Sequence, residues 1–227
     1  EDRWLRQGQC VPAILSPDRA DRGLFLFEDG GVRRIPIDAA LPVMHGSFGE
    51  DGTIQGLIAL SGIPLVGCGV LASALGMDKA RSHQLAAQAG IETARWVALE
   101  ENAPPIKALA FAREMGWPVF VKPAGAGSSF GVSRVEREEE LLPALGTAFR
   151  YGRQVMVEEA VPGFEVGCAV IGTKTLTVGA VDEVELAGGF LDFTEKYSPK
   201  TSVTHVPARL PQETAERIQE TAKRIYR

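Results

Sequence analysis

The sequence predicts an α/β protein with a mostly parallel sheet and helices on its outside. Short apolar runs alternate along the chain with segments whose apolar residues recur at helical spacing. Glycines mark the ends of two predicted helices, at Gly62 and Gly116. Strands that alternate with helices are typical of parallel sheets, because each helix returns the chain to the starting edge of the sheet.

The first third of the chain predicts five strands and one helix. The turn Asp29-Gly30-Gly31 joins two of these strands as a hairpin, since glycine accepts the positive φ that such turns require. Gly62 ends the helix for the same reason. The predicted strands cover residues 11–15, 23–28, 32–35, 41–44 and 63–66, and the predicted helix covers residues 53–61.

The remaining two thirds predict six strands and four helices. Asp78 suits the N-cap of a helix that runs to Gly90, and Pro105 suits the first turn of a helix through Met115. A helix that begins at Pro211 carries an inward-facing apolar stripe, formed by Ala215, Ile218, Ala222 and Ile225. The strands cover residues 94–99, 119–121, 131–135, 154–158, 165–171 and 175–181, and another helix covers residues 138–150.

Composition and charge argue against several functional classes. The chain has 227 residues, of which 45% are hydrophobic and 23% charged, and this suits one or two domains with ordinary cores. A net charge of −5 gives no basic surplus for nucleic acid, and no segment approaches the roughly 20 apolar residues of a membrane span. Three widely spaced cysteines without a Cys-x-x-Cys motif predict a reducing, cytoplasmic compartment. The three histidines show no metal-ligand spacing, so no metal ligand is predicted.

The most informative segment is a strand followed by a loop of small residues, residues 118–131. Lys122 stands near the end of the strand, and the loop contains three glycines and the hydroxyls of Ser128 and Ser129. Glycines let backbone N–H groups approach phosphate oxygens, and a lysine adds a point charge that suits phosphate. The segment therefore predicts a nucleotide triphosphate site. The alternative is a plain Gly-rich turn beside a surface lysine, because short motifs often match by chance.

Two better-known nucleotide motifs are weaker interpretations. The Walker pattern does not occur, and Lys122 precedes its Gly-rich loop instead of following it. Residues 67–72 match the Gly-x-G-x-x-Ala form of the dinucleotide fingerprint. A lone match of this kind is weak, and no clear strand ending in an acidic residue follows at the expected distance. We interpret these residues as a tight strand-to-helix turn.

The order and spacing of further motifs resemble the D-alanine–D-alanine ligases, which have the ATP-grasp fold. The motifs are MHGSFGEDGTIQG (44–56), GIPLVGCG (62–69), MDK (77–79), VEEAV (157–161), GFEV (163–166) and FTEKY (193–197). Residues 165–170 and 189–197 are most similar to the vancomycin-resistance branch, especially its D-alanyl-D-serine ligases. The resemblance implies an N-terminal Rossmann-like parallel-sheet domain over residues 1–77. It also implies two α+β subdomains, 78–162 and 163–227, with ATP held between them.

The resemblance assigns nucleotide contacts to residues spread over both subdomains. Lysines would bind the phosphates, the Gly/Ser loop would close over them, and the segment around Val161 would hold adenine by backbone groups. One acid of the pair Glu158 and Glu159 would accept from the adenine amine, and Glu165 would accept from the ribose hydroxyls. The full set is Lys79, Lys122, Gly127, Ser128, Ser129, Glu158, Glu159, Val161, Glu165 and Lys196.

A second set of residues would act on the amino-acid substrates. By resemblance, His45 contacts the first D-alanine, and Glu50 orients the loop around it. Lys196 and Tyr197 would reach the active site from a loop, where the tyrosine hydrogen-bonds Ser128. D-lactate-adding relatives depart from this Lys-Tyr pair. Its presence therefore favours an amine nucleophile, D-alanine or D-serine.

The function that the resemblance implies is an ATP-dependent ligase that joins D-alanine to D-alanine or D-serine through an acyl phosphate. This would serve peptidoglycan precursor synthesis and vancomycin resistance, in a homodimer that uses ATP with Mg²⁺ or Mn²⁺. The family also has a Gly-Gly-x-Ser-x-Glu segment before the part seen here and metal-binding carboxylates after it, so we expect a fragment that lacks the metal ligands. The alternatives are another ATP-grasp carboxylate–amine ligase and a non-catalytic nucleotide-binding module.

Overall fold

The computed structural model describes residues 10–186 and 202–227, and the chain divides into two compact units, Glu1–Met77 and Asp78–Arg227. In the first unit, three strands form an antiparallel sheet in the order β1-β2-β3. The strands are β1 (Ala13–Leu15), β2 (Gly23–Glu28) and β3 (Gly31–Pro36), and the helices are α1 (Thr53–Leu60) and α2 (Val70–Met77). The predicted hairpin is confirmed, with Gly31 at a φ of 126°.

Two predicted strands of the first unit, residues 41–44 and 63–66, do not form. Among the described residues of this region, the only strand-like pairing is a parallel bridge between Ala40 and Leu65. Leu41 and Val43 are 65% and 78% exposed, although an apolar run predicts burial. The run was apolar enough for a strand, but an extended segment becomes a strand only where a neighbouring backbone pairs with it.

The second unit begins with a helix and a four-stranded sheet. The sheet order is β4-β7-β5-β6, and every pairing is antiparallel. Its elements are α3 (Lys79–Gln88), β4 (Trp96–Glu100), α4 (Ile106–Met115), β5 (Val119–Pro123), β6 (Ser133–Val135), α5 (Leu141–Phe149) and β7 (Gln154–Glu159), with a 3₁₀ turn at Glu138–Glu140. Two predicted helix N-termini are confirmed. Asp78 caps α3 by accepting the backbone N–H of Arg81 at 3.0 Å, and Pro105 is the N-cap of α4.

The prediction of a mostly parallel sheet is wrong for this unit, and the reason lies in one late strand. Both β4 and β5 are antiparallel to β7, so β4 and β5 run in the same direction, as a strand–helix–strand unit predicts. β7 comes later in the chain and lies between β4 and β5 in the sheet. The result is the α+β arrangement that the family resemblance implies.

The core of the unit fills one face of this sheet. Alternation along β5 and β7 turns Val119, Val121, Val155 and Val157 toward α4 and α5, and all four valines are fully buried. Ala108, Ala112 and Ala148 on the two helices are also fully buried, because small side chains let the helices approach the sheet closely. The opposite face of β5 is not part of this core.

A second antiparallel sheet, in the order β10-β9-β8, completes the unit. It contains β8 (Glu165–Gly172), β9 (Leu176–Leu186) and β10 (Ser202–His205), and α6 (Gln212–Tyr226) packs against β8 and β9. Three members of the predicted stripe on α6 are half-buried, but Ile225 is 64% exposed. No helix within residues 10–186 and 202–227 has the length and apolar character needed to cross a membrane.

Candidate functional site

The face of the four-stranded sheet opposite the core carries a row of aromatic and charged side chains. Because side chains alternate along a strand, Phe120 and Lys122 lie on the face opposite the valines of β5. Glu158 of β7 pairs in register with Phe120 on one side and with Trp96 of β4 on the other. An aromatic, an acid and an aromatic therefore stand side by side across three strands.

A cavity of about 340 Å³ opens in this region of the second unit. It brings together seven of the residues predicted to bind a nucleotide. Its lining is Lys79, Phe120, Lys122, Ala126, Gly127, Ser128, Ser129, Val132, Glu158 and Glu165. The lysines and the loop supply donors suited to phosphate, while Phe120 and Val132 supply an apolar surface.

Lys122 and Glu158 form an ion pair within the cavity wall. The Nζ of Lys122 lies 2.7 Å from Oε2 of Glu158, and the two side chains are 20% and 14% exposed. A charge this far removed from water is costly unless it is paired, so each residue supports the other. His83 on α3 stands behind them, with Nε2 3.9 Å from the same Glu158 oxygen and its ring against the edge of Trp96. Sequence reasoning missed His83, because it lies outside the nearby MDK motif (77–79) and has no metal-ligand spacing to the other histidines.

Lys79 at the start of α3 is bound to the Gly/Ser loop through both backbone and side chain. Its N–H donates to the carbonyl of Ala124 at 2.9 Å, and its ammonium donates to the carbonyl of Ala126 at 2.5 Å. Asp78 caps the helix one residue earlier and so fixes where Lys79 points. The lysine therefore joins the helix to the loop at the edge of the cavity.

The loop itself adopts an uncommon backbone. Ser128 and Ser129 have φ values of 52° and 57°, in the left-handed region that favours glycine. Gly131 also lies there, at 70°, and a Cβ on it would come within 2.6 Å of the Tyr151 ring. Around Gly125, by contrast, a Cβ would meet nothing within 4 Å.

The acids of the predicted adenine segment have different surroundings. Glu158 lines the cavity, but the carboxylate of Glu159 accepts the backbone N–H of Arg95 at 2.7 Å at the start of β4. Neither Glu159 nor Val161 is part of the cavity lining, and Val161 is 67% exposed. Glu165 is exposed at the first residue of β8 and does line the cavity. The structure thus brings Glu158 and Glu165 together with the lysines and leaves Glu159 beside β4.

His45 and Glu50 belong to the first unit, within a loop held by its own side chains. Oε2 of Glu50 accepts the backbone N–H of Gly46 at 2.5 Å. The carboxylate of Asp51 accepts the backbone N–H of Phe48, and also that of Thr53, which lowers the pKa of Asp51 below its usual value. Lys196 and Tyr197 lie outside the described residues.

A further charged cluster, not expected from the sequence, stands on β9 and β10. Glu183, Glu185 and His205 place ligand atoms within 4.8 Å of one another. Arg209 occupies the same space: its backbone N–H donates to Glu183 at 2.9 Å, and its guanidinium contacts both acids. Hydrogen bonds from Arg209 lower the pKa of Glu183 to about 2. Because the acids are already compensated, we assign the cluster a structural role. Histidine spacing along the sequence could not have revealed it, since its members meet only through strand pairing.

Comparison with known proteins decides the family. Models of the D-ala D-ala ligase N-terminus and C-terminus match residues 13–68 and 85–227. The chain belongs to the D-alanine–D-alanine ligase family. Its match to ligase structures also confirms the predicted ATP-grasp fold.

Two of the relatives have names that state different second substrates, and a third is named for vancomycin resistance. A putative D-alanine–D-lactate ligase of Streptomyces coelicolor is 46% identical over 97% of this chain and 64% of its own length. The vancomycin B-type resistance protein VanB of Enterococcus faecalis is 42% identical over 97% of this chain and 65% of its own length. The crystal structure of the VanG D-Ala:D-Ser ligase of Enterococcus faecalis has 43% identity and a TM-score of 0.83, over 99% of this chain and 65% of that one. The chain thus spans about two thirds of the length of these relatives.

Proposed function

We propose that the protein is an ATP-dependent ligase that joins D-alanine to a second D-amino acid. The observation that carries the proposal is the cavity of the second unit. Two lysines from separate elements, Lys79 and Lys122, meet there with a small-residue loop and two carboxylates. This set of donors and acceptors matches a nucleotide with a phosphate end and a sugar–base end.

The positions of these groups suggest how a nucleotide would lie. The phosphates would contact Lys79, Lys122 and the loop, where positive charge and backbone donors are concentrated. The ribose would meet Glu165, and the base would lie against Phe120 beside Glu158. We assign the adenine amine to Glu158 and not to Glu159, because Glu158 lines the cavity and Glu159 accepts the backbone N–H of Arg95, just before β4. In this arrangement ATP lies between the proposed subdomains 78–162 and 163–227.

A magnesium ion accompanies ATP in phosphoryl transfer and is usually held by one or two carboxylates together with the phosphates. The cavity's own carboxylates are Glu158, which is paired with Lys122, and Glu165, which we assign to the ribose. The described residues therefore fit the nucleotide, and none of them is assigned to the metal. When bound, the ion would neutralise charge on the transferring phosphoryl group.

The chemistry follows from the poor reactivity of a carboxylate. An oxygen of the D-alanine carboxylate attacks the γ-phosphorus of ATP, ADP leaves, and an acyl phosphate forms. The amine of the second amino acid then attacks the acyl carbon, and inorganic phosphate leaves. In the first step Lys79 and Lys122 would hold the phosphates and offset their charge, and the loop carrying Ser128 and Ser129 would exclude water that could hydrolyse the acyl phosphate. On the amino-acid side, we propose His45 as a contact of the first D-alanine.

For the second substrate we propose D-alanine or D-serine. The support is the Lys196-Tyr197 pair, which the family resemblance associates with an amine nucleophile. The name of VanG, D-Ala:D-Ser ligase, agrees with this choice, whereas that of the Streptomyces relative points to D-lactate. D-lactate is therefore an explicit alternative for the test.

The test measures ADP release and identifies the products by mass spectrometry, for the protein expressed from its complete gene, with D-alanine held constant and a second substrate added in excess. We expect D-alanyl-D-alanine or D-alanyl-D-serine as the product, and little product that contains D-lactate or L-alanine. A matched Lys122→Ala variant should lose activity with every substrate. Preference for L-amino acids would instead indicate a different carboxylate–amine ligase. Tight ATP binding without release for any substrate would indicate a nucleotide-binding module.

A further inference from the structure

The strained part of the Gly/Ser loop needs contacts that impose its shape. Ser128 and Ser129 both have positive φ, and residues with a Cβ adopt this conformation in succession only when their surroundings enforce it. Within the loop, the carbonyls of Gly127 and Ser129 accept long hydrogen bonds of 3.2 and 3.3 Å. Contacts from outside the loop add to these bonds.

Lys79 supplies the contact for the first half of the loop. It binds the carbonyls of Ala124 and Ala126, the two residues that bracket Gly125. Lys79 also lines the cavity, so any substitution there would change both loop support and direct ligand contact.

Tyr151 supplies the contact for the second half of the loop. Its ring stacks on Phe130 with centroids 6.1 Å apart and planes 27° apart. The same ring covers Gly131 so closely that a Cβ there would lie 2.6 Å from Cδ2 of Tyr151, and 3.0 Å from Cγ of Pro123. The two residues that follow Ser129 are thus both held by one side chain.

Within the part of the chain that the structure describes, Tyr151 stands apart from the core and from the cavity wall. It lies in the short turn between α5 and β7, is 51% exposed, and belongs neither to the buried core clusters nor to the cavity lining. A half-exposed aromatic ring stabilises a fold less than a fully buried one, because about half of its surface stays in water.

We propose that Tyr151 is a positioning residue for nucleotide binding. Its ring fixes Phe130 and Gly131, and this keeps Ser128 and Ser129 in the left-handed conformation that shapes the wall of the cavity. The inference rests on the proposed function of that cavity as a nucleotide site. It predicts that Tyr151 changes nucleotide affinity without touching the nucleotide.

The experiment compares Tyr151→Leu, Tyr151→Phe and Tyr226→Leu in the protein from its complete gene. ADP affinity is measured by calorimetry, and amide hydrogen exchange is followed over residues 125–132. Tyr151→Leu should weaken ADP binding about threefold to tenfold, the range expected for loss of a stacked aromatic pair, and should speed exchange in the loop. Tyr151→Phe keeps the ring and should match the wild type. Tyr226 donates to the carbonyl of Gly172 on another sheet, so Tyr226→Leu controls for loss of a half-exposed tyrosine.

A second variant guards against simple misfolding of Tyr151→Leu. Phe130→Leu removes the other ring of the stack, and the double variant should be no weaker than either single one, because both remove the same contact. Wild-type affinity and exchange in Tyr151→Leu would overturn the proposal, and so would an equal loss in Tyr226→Leu. If the wild type bound no ADP, the proposed function would fail instead. The exchange measurement would then still decide whether Tyr151 holds the loop.

Discussion

Two acid–base pairs of the second unit differ in how completely the acid is bound. Glu183 on β9 accepts a backbone N–H and several guanidinium hydrogen bonds from Arg209, and its side chain is 5% exposed. Glu158 on β7 is almost as shielded, at 14%, but its basic neighbours are one ammonium, that of Lys122 at 2.7 Å, and the more distant Nε2 of His83 at 3.9 Å. Both acids lie on strands next to a basic partner, yet their bonds differ in number and direction.

The difference indicates which pair is structural and which can exchange its partner for a ligand. A guanidinium binds a carboxylate through a planar fork that is rigid and directional. An ammonium is a compact charge on a flexible stem with three rotatable donors, so it can change or add an anionic partner more readily than a fixed fork can. The Arg209–Glu183 pair therefore suits a permanent joint between β9 and the segment after β10. The Lys122–Glu158 pair suits a cavity that fills and empties.

The largest expected effect tests the exchangeable pair. Lys122→Ala removes a charge-assisted contact worth about 1.5–3 kcal/mol and should weaken ATP binding roughly 10- to 100-fold. Calorimetry on the variant and on Lys174→Ala provides the measurement, since Lys174 is an exposed lysine between β8 and β9. Equal ATP affinity in the wild type and Lys122→Ala would show that this lysine is not part of the nucleotide site. The Lys122–Glu158 pair would then not be the exchangeable one.

Disrupting the Arg209–Glu183 pair should lower the stability of the protein and leave its ATP binding unchanged. Glu183→Gln removes the more buried of the two carboxylates that bind the Arg209 guanidinium and leaves it with Glu185. We expect the melting temperature to fall by about 3–8 °C while ATP affinity stays within twofold. Glu213→Gln, in the exposed first turn of α6, is the matched control. A loss of affinity as large as that of Lys122→Ala would mean that the two pairs are not functionally distinct.

The same pair predicts a dependence of stability on pH. The pKa of Glu183 is lowered to about 2 by hydrogen bonds from Arg209, whereas the unfolded chain has the usual value near 4.5. The contribution is therefore fully present above pH 4.5 and is lost as the pH falls toward 2. Melting curves between pH 7 and pH 3 should show the gap between wild type and Glu183→Gln narrowing below pH 4.5. A constant gap would contradict the lowered pKa.

The smallest expected effect separates two neighbouring acids. Glu158→Gln removes the carboxylate beside Lys122 that we assign to the adenine amine, and it should weaken ATP binding about threefold to tenfold. Glu159→Gln should change it less than twofold, because that carboxylate binds the N–H of Arg95 instead. The measurement is the ratio of the two changes in ATP affinity. A larger effect from Glu159 would show that the acid facing adenine has been chosen wrongly.

The sequence predicted the features whose signals are local. The N-cap at Asp78, the turn before Gly31 and the strand that carries Lys122 each depend on a few adjacent residues, and each lies where expected. The grouping of Lys122 with the Gly/Ser loop was also foreseeable, because loop and lysine are contiguous.

Contacts between distant segments could not be predicted in this way. The position of β7 between β4 and β5 depends on a strand that begins more than fifty residues after β4, and no periodicity reveals it. Tyr151 and His83 reach the site region only through that arrangement, so neither belongs to a sequence motif. The apolar stripe of α6 was predicted by spacing alone, and Ile225 is exposed despite fitting it.

The internal partners of the two lysines have a consequence for selectivity. In this structure Lys79 is bound to the carbonyl of Ala126 and Lys122 to the carboxylate of Glu158, so part of the attraction of each ammonium is already directed at atoms of the protein itself. Inorganic phosphate or sulfate has a single anionic group and no base or sugar with which to recover that loss. A nucleotide bound as we propose would engage both ammonium groups, the loop and the apolar wall together. On that proposal, the internal partners of the lysines favour a nucleotide over the small oxyanions that are abundant in any cell.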